Sequence, residues 1–194
     1  MKSPFKPPDS PPRVEKPRLE FATIAGFKRG DLADILRRSY AALVEERPES
    51  WKSEEAKWDD FDRQAFAHRE SIGKCVFVSL PGNDDLFSDK PIGLASYDPR
   101  RAPEFGTVGQ NCVLPEFRGR GFGREQILEI LRRFREGGIA AARVTTSEHP
   151  FFLPALRMYQ GLGFLEARRI AGGPDPRYRL IDLELRISGN WDRY

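Results

Sequence analysis

Apolar residues recur along this chain in two rhythms. Leu32, Ile35, Leu36, Tyr40, Leu43 and Val44 fall three and four apart on one face, which predicts a helix that Asp31 can cap and Pro48 ends. Trp58, Phe61, Ala65 and His68 repeat that spacing and predict a second helix after Ser53. A third carries Ile127, Ile130, Leu131 and Phe134 from Gly123 to the Gly137 and Gly138 pair. Pro154 suits a first helical turn, so residues 153–160 predict a short fourth helix, closed by Gly161 or Gly163. Between these lie stretches of strand character at 19–24, 75–80, 91–97, 107–114, 139–145, 164–170 and 181–187. In the last, Ile181, Leu183, Leu185 and Ile187 alternate with Asp182, Glu184 and Arg186, the pattern of a half-exposed strand. Gly82, Asn83 and Asp84 mark a turn, and the connection 99–103 joins its two flanking strands as an antiparallel pair. The order β, α, α, β, β, β, α, β, α, β, β implies the α/β class, a mixed α+β arrangement in which helices cover the faces of a mixed sheet.

Composition narrows the organisation and the partners. Prolines 4, 7, 8, 11, 12 and 17 make residues 1–18 an extended tail, leaving 19–194 as one domain. That tail also explains the net charge of +3, because Lys2, Lys6, Arg13, Lys16 and Arg18 face only Asp9 and Glu15 there. The remainder is balanced, so no nucleic acid partner is expected. No apolar run approaches bilayer length and the first residues lack a secretory pattern, which predicts a cytoplasmic protein with no membrane partner. Cys75 and Cys112 stand apart in apolar stretches and read as reduced core thiols, so no metal site is expected.

The stretch with the most chemistry is Arg118, Gly119, Arg120, Gly121, Phe122, Gly123 and Arg124, between a strand and a helix. Glycines at alternate positions let successive N–H groups converge on one anion, and the helix adds its positive end. Arg118, Arg120 and Arg124 supply charge, so the loop suits a pyrophosphate. A dinucleotide fingerprint would need glycine where Arg124 stands, and a P-loop would end in Gly-Lys-Ser or Gly-Lys-Thr.

Residues 113–123 resemble the acetyl-CoA motif of the GNAT superfamily of N-acetyltransferases, whose core is Arg or Gln, two residues, Gly, one residue, then Gly or Ala; here these are Arg118, Gly121 and Gly123. Residues 155–164 resemble the second family signature, a small residue and an aromatic on a short helix before Gly163 and Phe164. With the element order, the likeness spans about residues 19–187. It implies a GNAT-like fold and transfer of acetyl from acetyl-CoA to a primary amine of a small molecule or peptide. The backbone of Asn111, Cys112 and Val113 would hold the pantetheine arm, and an N–H of Val113 or Leu114 would polarise the thioester. Tyr159 matches the tyrosine that protonates the departing thiolate, its alternative being a core aromatic. An asparagine that several relatives carry seven residues earlier is replaced by Phe152, with His149 as a substitute contact.

For the general base the candidates are Glu104, Glu148 and His149, each also at home as a surface residue or cap. The region between the first two helices borders the acceptor site in many relatives. Here it holds Glu45, Glu46, Glu49, Glu54, Glu55, Asp59, Asp60 and Asp62 with Trp51 and Trp58, which suits a cationic acceptor. A non-catalytic acyl-CoA-binding regulatory module is the competing expectation, and the likeness leaves a homodimer open.

Overall fold

In the computed structural model, residues 19–82 and 90–187 are described. The prolines of the tail, together with Asn83 and Asp84 of the expected turn, lie outside them. A seven-stranded sheet forms the centre, in the order β1-β2-β3-β4-β5-β7-β6. Its strands are β1 (Leu19–Thr23), β2 (Val76–Pro81), β3 (Gly93–Asp98), β4 (Gly106–Val113), β5 (Ala141–Ser147), β6 (Leu165–Ile170) and β7 (Leu180–Arg186). All pairings are antiparallel except that of β4 with β5. The helices are α1 (Asp31–Glu46), α2 (Pro48–Ala67), α3 (Phe122–Glu136) and α4 (Leu153–Gly161), the order and number expected.

Alternation along the strands sends neighbouring side chains into two cores. Val76, Val78 and Leu94 pack with Leu32, Leu36 and Trp58 of α1 and α2. Phe77 and Ala95 face the other way, onto Ile127, Ile130 and Phe134 of α3, and Tyr159 of α4 belongs to that second core. No helix of the described residues is long and apolar enough to cross a membrane. Cys112 is buried and Cys75 half-buried, and both thiols are free.

Two helix starts differ from the sequence expectation. Asp31 is the first residue inside α1 and not its cap, which is Gly30. The N–H groups of Gly30 and Leu32 donate instead to the carboxylate of Asp62, thirty residues on, which also accepts from Arg29 Nε at 3.0 Å. Helix α2 begins at Pro48, five residues before the predicted start at Ser53, because a proline that cannot continue one helix is well suited to open the next.

Candidate functional site

Strand β4 turns away from β5. Their parallel pairing is confined to Gly106 with Ala142 and Thr107 with Arg143. The register of β4 against β3 then slips opposite Ser96, whose Oγ accepts the Gln110 N–H at 2.8 Å. A Cβ on Gly109 would come within 2.5 Å of that oxygen, so glycine permits the bulge. Beyond it, Leu114 N–H donates to the Ile92 carbonyl at 2.8 Å. In an antiparallel ladder the adjacent residue points the opposite way, so Val113 N–H faces away from β3. This corrects the expectation that Leu114 could serve equally: Leu114 is buried and its N–H already has a partner.

On that open side lies a groove of about 490 Å³. It is lined by Asn111, Cys112, Val113, Arg118, Gly119, Gly121, Phe122, Gly123 and Arg124, all anticipated from the sequence. Gly119 and Gly121 have φ of +75° and +87°, backbone that only glycine adopts at little cost. Among the described residues, the N–H groups of Gly119 to Gly123 make no hydrogen bond within the chain. They stand at the N-terminus of α3, where the helix dipole adds positive potential. The three arginines differ. Arg118 is turned into the fold: Nε donates to the Val113 carbonyl at 3.1 Å, a terminal NH2 donates to the Ser39 carbonyl, and the guanidinium covers the Phe151 ring. Arg120 lies outside the groove lining, with its guanidinium 3.3 Å from the Glu116 carbonyl. Arg124 lines the groove.

A second chamber, of about 260 Å³, adjoins the groove. Tyr40, Asn111, Phe152 and Ala155 line both cavities. Tyr159 lines the chamber, and its buried ring lies edge-on to Phe164. Its oxygen accepts from Asn111 Nδ2 at 3.4 Å, which leaves its own proton free to be donated elsewhere. Burial pushes its pKa up to about 12, opposed in part by that amide, so the phenol stays protonated at neutral pH. The other walls are Trp51, Glu54 and Trp58 of α2, Thr145, Thr146 and Ser147 of β5, and the loop carrying Gly172, Gly173 and Asp175. Trp58 stacks on Tyr40 at 5.4 Å.

The expected bases are scattered. Glu104 lies in the connection before β4, beside Arg101 at 3.4 Å, at the opposite end of that strand from Asn111. Glu148 pairs with Arg169 and accepts the Arg179 N–H, outside both cavities. His149 lines the chamber, but its Nδ1 accepts the Phe151 N–H at 3.1 Å and so caps the turn leading into α4. Of the acidic stretch, Glu54 alone lines the chamber. Asp59 pairs with Arg37, Asp60 with Arg63, and Asp62 caps α1. Tyr40, at the junction, shows in the sequence only as part of an amphipathic helix face. Its side of α1, shared with Leu36 and Leu43, was the available signal.

A family model described as the Acetyltransferase (GNAT) family matches residues 32–164. Among curated proteins none matches the chain in sequence. Among solved structures, a protein from Desulfovibrio desulfuricans assigned to the GNAT family is 19% identical, with a TM-score of 0.63 over 88% of this chain and 99% of its own. The yncA protein of Salmonella typhimurium, solved with acetyl-CoA, is 17% identical, with a TM-score of 0.61 over 91% of this chain and 96% of its own. The NatC complex bound to Gag peptide and CoA contains a chain 14% identical, with a TM-score of 0.57 over 88% of this chain and 99% of that one.

Proposed function

The chain belongs to the acetyltransferase (GNAT) family, and from that premise we propose that it transfers an acetyl group from acetyl-CoA to the primary amine of a small molecule or peptide. The observation that carries this reading is the meeting of the two cavities at Tyr40, Asn111, Phe152 and Ala155, with Tyr159 beside the junction. A thioester held at the end of the groove would there face an amine held in the chamber.

The roles follow from the donors available. The N–H groups of Gly119 to Gly123 suit the pyrophosphate, with Arg124 as the nearby charge. Val113 N–H, pointing away from β3, suits the thioester carbonyl and would strengthen its hold as negative charge develops on that oxygen. Tyr159 gives its proton to the departing sulfur; an acid with a raised pKa keeps that proton until a thiolate forms. Arg118 acts as a brace between α1 and the end of β4.

The preference for a cationic acceptor narrows in scope. It rests on Glu54 and on the faces of Trp51, Trp58 and Tyr40, which suit a single ammonium beside an apolar body better than a polycation. Release of free thiol from acetyl-CoA over a panel of primary amines tests the whole reading, with calorimetric binding of CoA as the control. Binding without thiol release from any amine would favour a regulatory acyl-CoA module; turnover supports the enzyme.

A further inference from the structure

The acceptor chamber holds few side chains able to take a proton, and most of them are already engaged. Tyr40, half-buried, and Tyr159, buried, are phenols whose pKa values are both raised, by desolvation first. Asp175 accepts from the Arg177 guanidinium through both oxygens and lies 3.6 Å from Arg47. Arg177 first among its neighbours holds that carboxyl down at about 2, so it is a poor proton acceptor. His149 has its Nδ1 occupied by the Phe151 N–H, and its Nε2 faces Glu46 at 3.7 Å. Glu54 remains. It projects from α2 between Trp51 and Trp58, with its side chain 19% exposed and a single ionic partner, the exposed Lys57, 2.5 Å from one oxygen. Its other oxygen has no partner among the described residues.

Resting on the acetyltransferase reading, we infer that Glu54 is the group that takes the proton from the incoming ammonium, directly or through one water. An alkylammonium has three N–H protons and its amide has one, so two must leave. Glu54 takes the first and returns it to solvent, freeing the nitrogen lone pair to form the C–N bond. As the tetrahedral adduct collapses and the C–S bond breaks, Tyr159 protonates the sulfur. The second nitrogen proton then replaces the one that Tyr159 gave up. Glu54 and Tyr159 line the same chamber of about 260 Å³, which has room for a small amine between them.

The test uses the acceptor that the wild-type protein acetylates fastest among benzylamine, tryptamine, cadaverine and an N-terminal glycine peptide. Glu54→Gln should lower kcat near neutral pH by about 10²-fold, with CoA affinity and thermal unfolding unchanged. Glu54→Asp, which keeps a carboxylate, should recover part of the loss. The deficit of the Gln variant should shrink as pH rises and solvent supplies the neutral amine. It should nearly vanish with O-benzylhydroxylamine, whose nitrogen is uncharged at neutral pH. The other titratable groups around Glu54 are its partner Lys57 on the same helix and, in the chamber lining, Tyr40 on α1, His149 and Tyr159 beside and on α4, and Asp175 on the loop before β7. They are unaltered in both variants, so the difference between variant and wild type isolates Glu54. A raised KM with unchanged kcat would leave Glu54 with the ammonium-binding role alone and overturn the inference. So would a deficit equal at every pH and for both amine types, or equal losses in the Gln and Asp variants. Wild-type protein that acetylates no amine at all would instead bring down the acetyltransferase reading itself.

Discussion

The groove proposed for the coenzyme and the chamber proposed for the acceptor share four residues and are built in opposite ways. Most of the groove comes from one run, residues 111–124, and its polar groups are largely backbone N–H set by glycine geometry and a helix start. The chamber is gathered from α1, α2, β4, β5, α4 and the loop before β7, and its character comes from side chains. A site made by backbone depends on local conformation, and it tolerates changes that leave the glycines in place. One made by side chains depends on tertiary packing, so a single residue can alter its chemistry.

The sharpest way to break this contrast lies at Tyr159. Exchange for Phe keeps the ring against Phe164 and removes only the proton, so kcat should fall about 10²-fold or more while CoA affinity stays level. Wild-type turnover, with chemistry limiting, would return Tyr159 to the core alone. On the groove side the matching change is Gly123→Val. A Cβ there meets only ordinary contacts, Met158 Sδ and Val113 Cγ2 at 3.8 Å, so the free protein should stay folded. Its added methyls would crowd a bound coenzyme and weaken affinity by about 10- to 100-fold, by analogy with overpacking costs of about 1–3 kcal/mol. Calorimetry beside thermal unfolding checks this, and unchanged affinity would take the loop out of the coenzyme site.

Two smaller effects sharpen the account of the acidic stretch. Asp62→Ala strands the N–H groups of Gly30 and Leu32 and should cost about 1–3 kcal/mol in denaturant unfolding, whereas Asp59→Ala, at an exposed pair, should cost about 0.5 kcal/mol or less. Equal costs would mean that Asp62 is not a cap. The last prediction is an absence of change near pH 10, where an ordinary tyrosine ionises. In its proposed role Tyr159 acts while protonated, and burial raises its pKa to about 12, so the alkaline fall in kcat should lie above pH 10. A pH–rate profile descending through pH 10 would assign the donor to a different group.

Much of the groove was legible in the sequence because its signal is contiguous. The strand, the alternating glycines and the helix after them follow one another without interruption from Gly106 to Glu136, and all seven strands and four helices occur in the expected order. What was missed required the third dimension. Leu114 and Val113 differ only in ladder phase, which is fixed once Ile92 is known to be the partner. Asp31 stands where a local cap would be, yet the acceptor comes from Asp62 on another helix. Glu104 precedes the right strand but sits at its far end, and Glu148 follows the right strand but pairs with Arg169. Glu54 was one of eight carboxylates in the acidic stretch and Tyr40 one residue of a helix face, with nothing local to single either out. What sets them apart is that the packing of α1 and α2 brings both into the lining of the chamber.

The placement of Trp51, Glu54 and Trp58 at intervals of three and four has a practical consequence. One face of one helix supplies much of the chamber's aromatic and charged wall, so α2 behaves as an exchangeable cassette. Residues 48–62 could be recombined with those of another family member to alter acceptor choice while the coenzyme groove, on different segments, is left as it is. Any such chimera would have to retain Asp62, because the same helix that shapes the chamber also holds the first turn of α1 in place.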